Sequence, residues 1–240
     1  MTACPMGDVW MAELADAGWD AFDDTLAPAE TQRYRRMHDP QRRAWHLRAR
    51  IAARMVLARY LHVDPHSLRI VTGFAGKPRL ADDPLQFNVS HSDARALIAV
   101  SRGPVGVDLE HIDARVNVDA LLDHVCHETE RNAFTQLTGQ ARVARFFALW
   151  VAKEAYCKAL GEGLRKPMTA FSLAEMDCAT PIRVFDPAHT DAPYWIQRVV
   201  MPTGWTAALC SQSLHAGSRR TTPRSVAPAD FIQRGITCRD

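Results

Sequence analysis

The chain has 240 residues, 47% of them hydrophobic and 23% charged, a composition typical of a globular protein with a sizeable core. The net charge of +2 is too small to indicate a nucleic-acid-binding protein, and no apolar run approaches the length of a membrane span. Because the amino terminus lacks the basic stretch and apolar core of a signal peptide, we expect a cytoplasmic protein without a membrane partner.

The cysteines and the histidine-rich segment do not predict a metal site. Six cysteines are scattered without a CxxC pair, so we expect reduced thiols: Cys4, Cys126, Cys157, Cys178, Cys210 and Cys238. The segment HVCHE contains His124, His127 and Glu128, but their order does not match the HExxH or HxxEH patterns of zinc helices.

A basic segment in the first half predicts a long helix from about Gln41 to Leu61. Its apolar residues recur at helical spacing and predict a buried stripe: Ala44, Leu47, Ile51, Met55 and Ala58. Arg43, Arg50 and Arg54 border this stripe, where an arginine can reach into a cleft while its stem stays packed. The alternative is a solvated helix face, and the pattern does not say which arginine would face a cleft.

Two short polar motifs follow in a region of strand character. Gly76, Lys77 and Pro78 form a tight turn that carries a cation. In LQFNVSHSDARALIAVS we predict a short strand, a polar loop Ser90-His91-Ser92, and a second strand over Ala96–Ser101. Such a loop can hold phosphate through hydroxyl and backbone donors, or it can be a plain turn capped by serines.

Two later segments offer carboxylates from rigid elements. In GVDLE, Asp108 and Glu110 lie two residues apart near a strand end, so both point to the same side. The segment Phe146–Leu160 contains no Gly or Pro and predicts a helix, which ends where Gly161 and Gly163 appear.

On that helix Trp150, Glu154 and Lys158 share one face because they are four residues apart. Three carboxylates and a lysine suit a hard divalent cation and a charged phosphate. The alternative is an ordinary surface pair, Glu154 and Lys158, beside solvated strand carboxylates.

Four motifs in this order, GKP, FNVSHS, GVDLE and WVAKEAYCK, resemble those of the Sfp-type 4′-phosphopantetheinyl transferases. The resemblance implies an α+β fold of two similar halves related by a pseudo-twofold axis, with the active site between them. Residues 1–105 would supply the coenzyme A nucleotide contacts, and residues 106–213 the metal site and catalytic helix. In the second half FSLAEM, YWIQRVVMP and WTAALCSQ predict three strands, and the basic residues 214–240 predict a flexible tail.

The resemblance also implies an activity. Such enzymes transfer the 4′-phosphopantetheine group of coenzyme A to a serine of an acyl or peptidyl carrier protein, use Mg²⁺ and release 3′,5′-ADP, which is holo-[acyl-carrier-protein] synthase activity. The chain is about twice as long as the trimeric synthases, so we expect a monomer serving fatty-acid, polyketide or non-ribosomal peptide synthesis. The alternatives are a magnesium-dependent nucleotide-diphosphate hydrolase and a non-catalytic coenzyme A binding protein.

Matching the motifs residue by residue assigns roles within the site. The resemblance makes Asp108, Glu110 and Glu154 the magnesium ligands and brings Lys158 to the diphosphate. Glu154 is also our hypothesis for the base, either directly or through a bound water. The other assignments contact coenzyme A: Ser90 and His91 beside its phosphates, Lys77-Pro78 at its adenine nucleotide, and Arg43 at its 3′-phosphate, with Arg36 and Arg42 as alternatives.

Outside the site, the resemblance places Glu130 behind the metal ligands. Basic residues of the second half would dock the acidic carrier protein, or would form an ordinary solvated surface: Arg131, Arg142, Arg145, Arg165 and Lys166.

Overall fold

The computed structural model describes residues 7–32, 34–82, 85–162, 165–173, 181–212 and 220–232. The first half contains β1 (Asp8–Glu13), α1 (Pro28–Gln32), α2 (Pro40–Leu61), β2 (Ile70–Thr72), β3 (Pro78–Leu80), β4 (Gln86–Ser92) and β5 (Arg95–Ser101). The second half contains β6 (Val105–His111), α3 (Val118–Val125), α4 (Gly139–Leu160), β7 (Ser172–Leu173), β8 (Ile182–Phe185), β9 (Trp195–Val199) and β10 (Trp205–Ser211). The chain then adds β11 (Arg220–Thr221), β12 (Arg224–Val226) and α5 (Ala229–Ile232). None of the helices in these ranges is long and apolar enough to cross a membrane.

The first half packs α2 against a sheet of order β12-β1-β5-β4. Asp39 caps the start of α2 by accepting from the amide groups of Gln41 and Arg42. The predicted stripe is confirmed at Ile51, Met55 and Ala58, which are buried, whereas Ala44 and Leu47 are only half-buried. The burial is wider than a stripe, since every residue from 51 to 58 is buried.

The second half repeats this plan with α4 on a sheet of order β6-β10-β9-β8-β7. Helix α4 ends at Leu160 as predicted, where Gly161 adopts a φ of 76°, but it begins at Gly139 instead of Phe146. The second predicted terminator, Gly163, and residues 174–176 of the first predicted strand lie outside the described residues. The predicted α+β class is confirmed, although β1 and β8 were not among the predicted strands.

The prediction of a polar loop at Ser90-His91-Ser92 is wrong. These residues are the last three of β4, and the hairpin turns at Asp93 and Ala94 instead, with Ser92 paired to Arg95. Asp93 supplies the positive φ of 44° that such a tight turn requires. Because successive strand side chains point to opposite faces, Ser90 and Ser92 share one face and His91 lies on the other.

The prediction of a flexible tail is wrong for residues 220–232. Strand β12 pairs in parallel with β1, Val226 joins the core of the first half, and the ring of Phe231 lies 6.3 Å from that of Trp19 and 6.4 Å from that of Phe22. The basic composition of this segment predicted a solvated chain, but two apolar residues in it, Val226 and Phe231, are buried in the core of the first half. Residues 214–219 and 233–240 lie outside the described part of the chain.

Candidate active site

Strands β4 and β6 bring the two halves together through alternate side chains of FNVSHS. Asn88 Oδ1 accepts from the amide of Val107 at 2.8 Å, and Ser90 Oγ donates to Asp108 Oδ1 at 2.8 Å. Two residues further on, Ser92 Oγ donates to Glu110 Oε2 at 2.9 Å. Every second side chain of β4 therefore faces every second residue of β6, and the two serines hold the carboxylates of Asp108 and Glu110 in place.

Gly106 lets helix α4 lie directly on β6. A Cβ atom at this position would lie 2.0 Å from the carbonyl oxygen of Ala155 and 2.4 Å from the amide nitrogen of Ala159. Only glycine permits this approach, which brings the Glu154 and Lys158 face of the helix over the carboxylates of β6. This role of Gly106 was not predicted, although the glycine stands in the GVDLE motif.

Asp108 is the buried centre of the site, with 3% of its surface exposed. Its Oδ1 accepts from Lys158 Nζ at 2.5 Å, and the same ammonium lies 3.0 Å from Ser90 Oγ. Its Oδ2 is also buried, but no described residue donates to it. A buried carboxylate oxygen without a donor is costly in a folded protein, and a bound cation would satisfy it.

Glu110 and Glu154 are half-buried beside Asp108. Burial, and next the negative charge of Asp108, raise the pKa of both carboxyl groups, and Glu154 adds to the effect on Glu110. The three predicted ligands therefore lie close enough for their negative charges to act on one another. Within the described ranges, no three His, Cys, Asp or Glu side chains are gathered as a preformed metal cluster. The donor chemistry of oxygen ligands and the unsatisfied Asp108 oxygen fit Mg²⁺.

On the opposite face of β4, His91 contacts a histidine of helix α2. His91 Nε2 lies 2.7 Å from Nδ1 of His46 on α2, and the ring of His46 stacks on Tyr34 with centroids 5.0 Å apart. Burial, followed by the charges of His46, Lys158 and Arg50, lowers the pKa of His91 to about 4. His46 was not among the predicted site residues, because a histidine on a long helix carries no motif of its own.

The structure separates the three arginines that the sequence left equivalent. Arg54 is buried and binds Glu30 through Nη2 at 2.6 Å, so it serves the fold. Arg50 donates to the Tyr34 hydroxyl at 3.3 Å and its charge acts on His91. Arg43 lies exposed in the first turn of α2.

Lys77 is directed into the protein. Its ammonium donates to the carbonyl oxygens of Val105 at 2.8 Å and Ala159 at 3.2 Å, and burial lowers its pKa to about 8. It therefore ties the GKP turn to the second half at the start of β6 and the end of α4, while Pro78 begins β3.

Glu130 and Lys166, two residues outside the predicted site, form ion pairs within the fold. Glu130 binds Lys153 at 2.6 Å and accepts from the amides of His127 and Leu173, so its oxygens cap the short 3-10 helix Glu128–Phe134 and bind the backbone of strand β7. The expectation that Lys166 docks a carrier protein is wrong, because its ammonium is buried against Asp186 at 2.6 Å.

Comparison with known proteins identifies the relatives of this chain. The 4′-phosphopantetheinyl transferase superfamily matches residues 104–210. The chain is 32% identical over 185 residues to the 4′-phosphopantetheinyl transferase HetI of Nostoc sp., covering 74% of each chain. It is 25% identical over 194 residues to the 4′-phosphopantetheinyl transferase Sfp of Bacillus subtilis, covering 80% of this chain and 84% of Sfp.

Proposed function

The chain belongs to the 4′-phosphopantetheinyl transferase superfamily, and from this premise we propose that it transfers the 4′-phosphopantetheine group of coenzyme A to a serine of a carrier protein. The observation that carries the proposal is the set of carboxylates and the ammonium assembled by β6 and α4, with β4 holding the carboxylates in register. Carboxylates that hold a divalent cation can, together with an ammonium group, bind the charged diphosphate of a nucleotide.

Asp108, Glu110 and Glu154 are the proposed magnesium ligands. When bound there, Mg²⁺ would neutralise the diphosphate charge and polarise its phosphoryl oxygens. The unsatisfied Asp108 oxygen and the raised pKa values of Glu110 and Glu154 support this assignment. A bound cation would satisfy the oxygen and would offset the burial and the negative charge of Asp108 that disfavour the ionised forms of the two glutamates.

Lys158 is the proposed contact for the diphosphate within the same site. Its ammonium already lies against Asp108 and Ser90, so it can turn towards a phosphate oxygen without losing its place beside the carboxylates. Ser90 and His91 support the coenzyme phosphates in this proposal, Lys77-Pro78 marks the turn at the adenine nucleotide, and Arg43 contacts the 3′-phosphate. The exposure of Arg43 leaves its guanidinium accessible to a ligand.

Glu154 is the proposed general base. The serine hydroxyl gives its proton to Glu154, and its oxygen forms a bond to the phosphorus that carries pantetheine. The bond from that phosphorus to the oxygen of 3′,5′-ADP then breaks, and 3′,5′-ADP leaves. Glu154 is half-buried and lies close enough to Asp108 for their charges to interact, so its carboxylate is available within the site to take this proton.

We infer a monomer that acts in the cytoplasm on carriers of fatty-acid, polyketide or non-ribosomal peptide synthesis. The buried free thiols of Cys126, Cys157 and Cys210 support a reducing compartment.

The test combines coenzyme A and Mg²⁺ with purified apo carrier proteins from each pathway. We expect mass spectrometry to show the phosphopantetheine increment on one carrier, with 3′,5′-ADP released in equal amount and with loss of both products in a chelator. Release of 3′,5′-ADP without any carrier would instead establish a hydrolase.

The Glu154→Gln variant tests the base. It should lower the transfer rate by about 10²–10⁴-fold, the usual contribution of general acid–base catalysis, while coenzyme A affinity changes much less. The matched control is Glu162→Gln, because Glu162 lies just beyond the end of α4 and contacts His189. A Glu154→Gln enzyme with ordinary turnover would remove Glu154 from the mechanism.

A further inference from the structure

The contact between His46 and His91 has no counterpart among the motifs of the sequence. We propose that His46 is a positioning residue, which donates its Nδ1 proton to His91 Nε2 and thereby keeps the proton of His91 on Nδ1, facing the coenzyme phosphates. The inference rests on the proposed function because it assumes that His91 contacts those phosphates. It goes further by assigning a task to a residue of α2.

The number of protons on the His91 ring decides how it can bind an anion. A neutral imidazole has one N–H donor and one acceptor nitrogen. His91 is neutral at physiological pH, since burial and the charges of His46, Lys158 and Arg50 lower its pKa to about 4. It can therefore donate to an anion from only one of its two nitrogens.

The geometry decides which nitrogen is available. Nε2 of His91 is already engaged with Nδ1 of His46 at 2.7 Å, so a phosphate must be met by Nδ1. An anion accepts hydrogen bonds, so Nδ1 must carry the proton and Nε2 must accept. His46 consequently has to be the donor, and the tautomer of one histidine fixes that of the other.

The surroundings of His46 suit such a task. Its ring stacks on Tyr34 with an interplanar angle of 19° and meets the ring of His91 edge-on at 89°. Tyr34 is itself buried and accepts from Arg50 at its hydroxyl. These contacts restrict the ring orientation of His46, so the donor is held in place before the coenzyme arrives.

Variants at position 46 separate positioning from simple packing. His46→Asn keeps an amide donor near the place of Nδ1, whereas His46→Ala removes the donor, and each is made with and without His91→Ala. The control is His124→Ala, an exposed histidine of α3. The measurements are the dissociation constant of coenzyme A by calorimetry, kcat and KM, and the ¹⁵N shifts that report the tautomer of His91 in the free protein.

We expect His46→Ala to raise the dissociation constant and KM for coenzyme A about tenfold, the effect of one hydrogen bond to a charged group, with little change in kcat. His46→Asn should restore most of the affinity, and His46→Ala should have no further effect in the His91→Ala background. In the free protein, His46→Ala should move the His91 proton off Nδ1 in part of the molecules.

The inference would be overturned if His46→Ala lowered coenzyme A affinity equally with and without His91→Ala. It would also be overturned if His46→Ala left the tautomer of His91 unchanged. Failure of the proposed function is recognised separately. In that case the unaltered protein would not bind coenzyme A, while the tautomer measurement would still report on the histidine pair.

Discussion

Helices α2 and α4 both have 22 residues and each packs on the sheet of its own half, but they serve the site differently. In α2 all residues from 51 to 58 are buried, Arg54 included. In α4 the stretch from 151 to 159 is buried except at Glu154 and Lys158, which are half-buried and four residues apart. Polar residues that interrupt a buried helix at this spacing mark the face that borders a cleft.

The difference shows that charge alone does not identify site residues. Arg54 carries the same positive charge as Lys158, yet it is enclosed with Glu30 and two backbone carbonyls. The contacts of α2 with the predicted site residue His91 come from the less buried first half of the helix, through His46 and Arg50. Substitutions on the two helices and at their contacts can test this division between packing and chemistry.

The largest expected effect on stability is that of Arg54→Ala. The substitution leaves the Glu30 carboxylate partly buried without its partner, so the free energy of unfolding should fall by about 3–5 kcal/mol. Denaturant unfolding measures it. The control on the same helix, Arg43→Ala, should change stability by less than about 0.5 kcal/mol and weaken coenzyme A binding instead. Equal stability losses at the two positions would contradict the division.

Gly106→Ala should destabilise the packing of α4 on β6. The new methyl group would meet the backbone of Ala155 and Ala159, which cannot yield as a side chain can, so we expect a loss of about 3 kcal/mol together with most of the transferase activity. Gly103→Ala is the matched control, because a Cβ there meets nothing within 4 Å. A stable, active Gly106→Ala protein would show that α4 does not depend on this contact.

The sequence was sufficient for the elements that carry strong local signals. The end of α4, strand β6 and most of α2 follow from periodicity and terminators. It was insufficient where an element depends on contacts between distant parts of the sequence. Strand β12, for example, pairs with β1, which lies near the other end of the chain.

The same limit applies within the site. Motif resemblance selected the residues of β4, β6 and α4, but the contact of His46 with His91 depends on how α2 crosses β4, and no local pattern encodes that crossing. The enclosure of Arg54 likewise depends on Glu30, which lies 24 positions earlier.

A pH-dependent effect of moderate size is expected from Lys77, which reaches the end of α4 from the other half. Burial lowers its pKa in the folded protein to about 8, against 10.5 for an ordinary lysine. Between these values the unfolded chain holds a proton that the folded chain has released, so raising the pH favours folding. From pH 8 to 10 the unaltered protein should gain about 1–2 kcal/mol relative to Lys77→Met, as measured by urea unfolding. Parallel pH profiles would contradict the lowered pKa.

The smallest effect is expected from Ser92→Ala, which tests how β4 supports the carboxylates that α4 covers. The substitution removes the hydrogen bond to Glu110 Oε2 and should cost about 1 kcal/mol of stability. Because Glu110 is then free to turn away from Asp108, the Mg²⁺ concentration for half-maximal transfer should rise, and so should the dissociation constant for Mn²⁺ measured by electron paramagnetic resonance without substrates. Ser67→Ala is the control, since its hydroxyl bonds only locally to the carbonyl of Asp64. An unchanged Mn²⁺ affinity in Ser92→Ala would mean that β6 orients Glu110 without help from the neighbouring sheet.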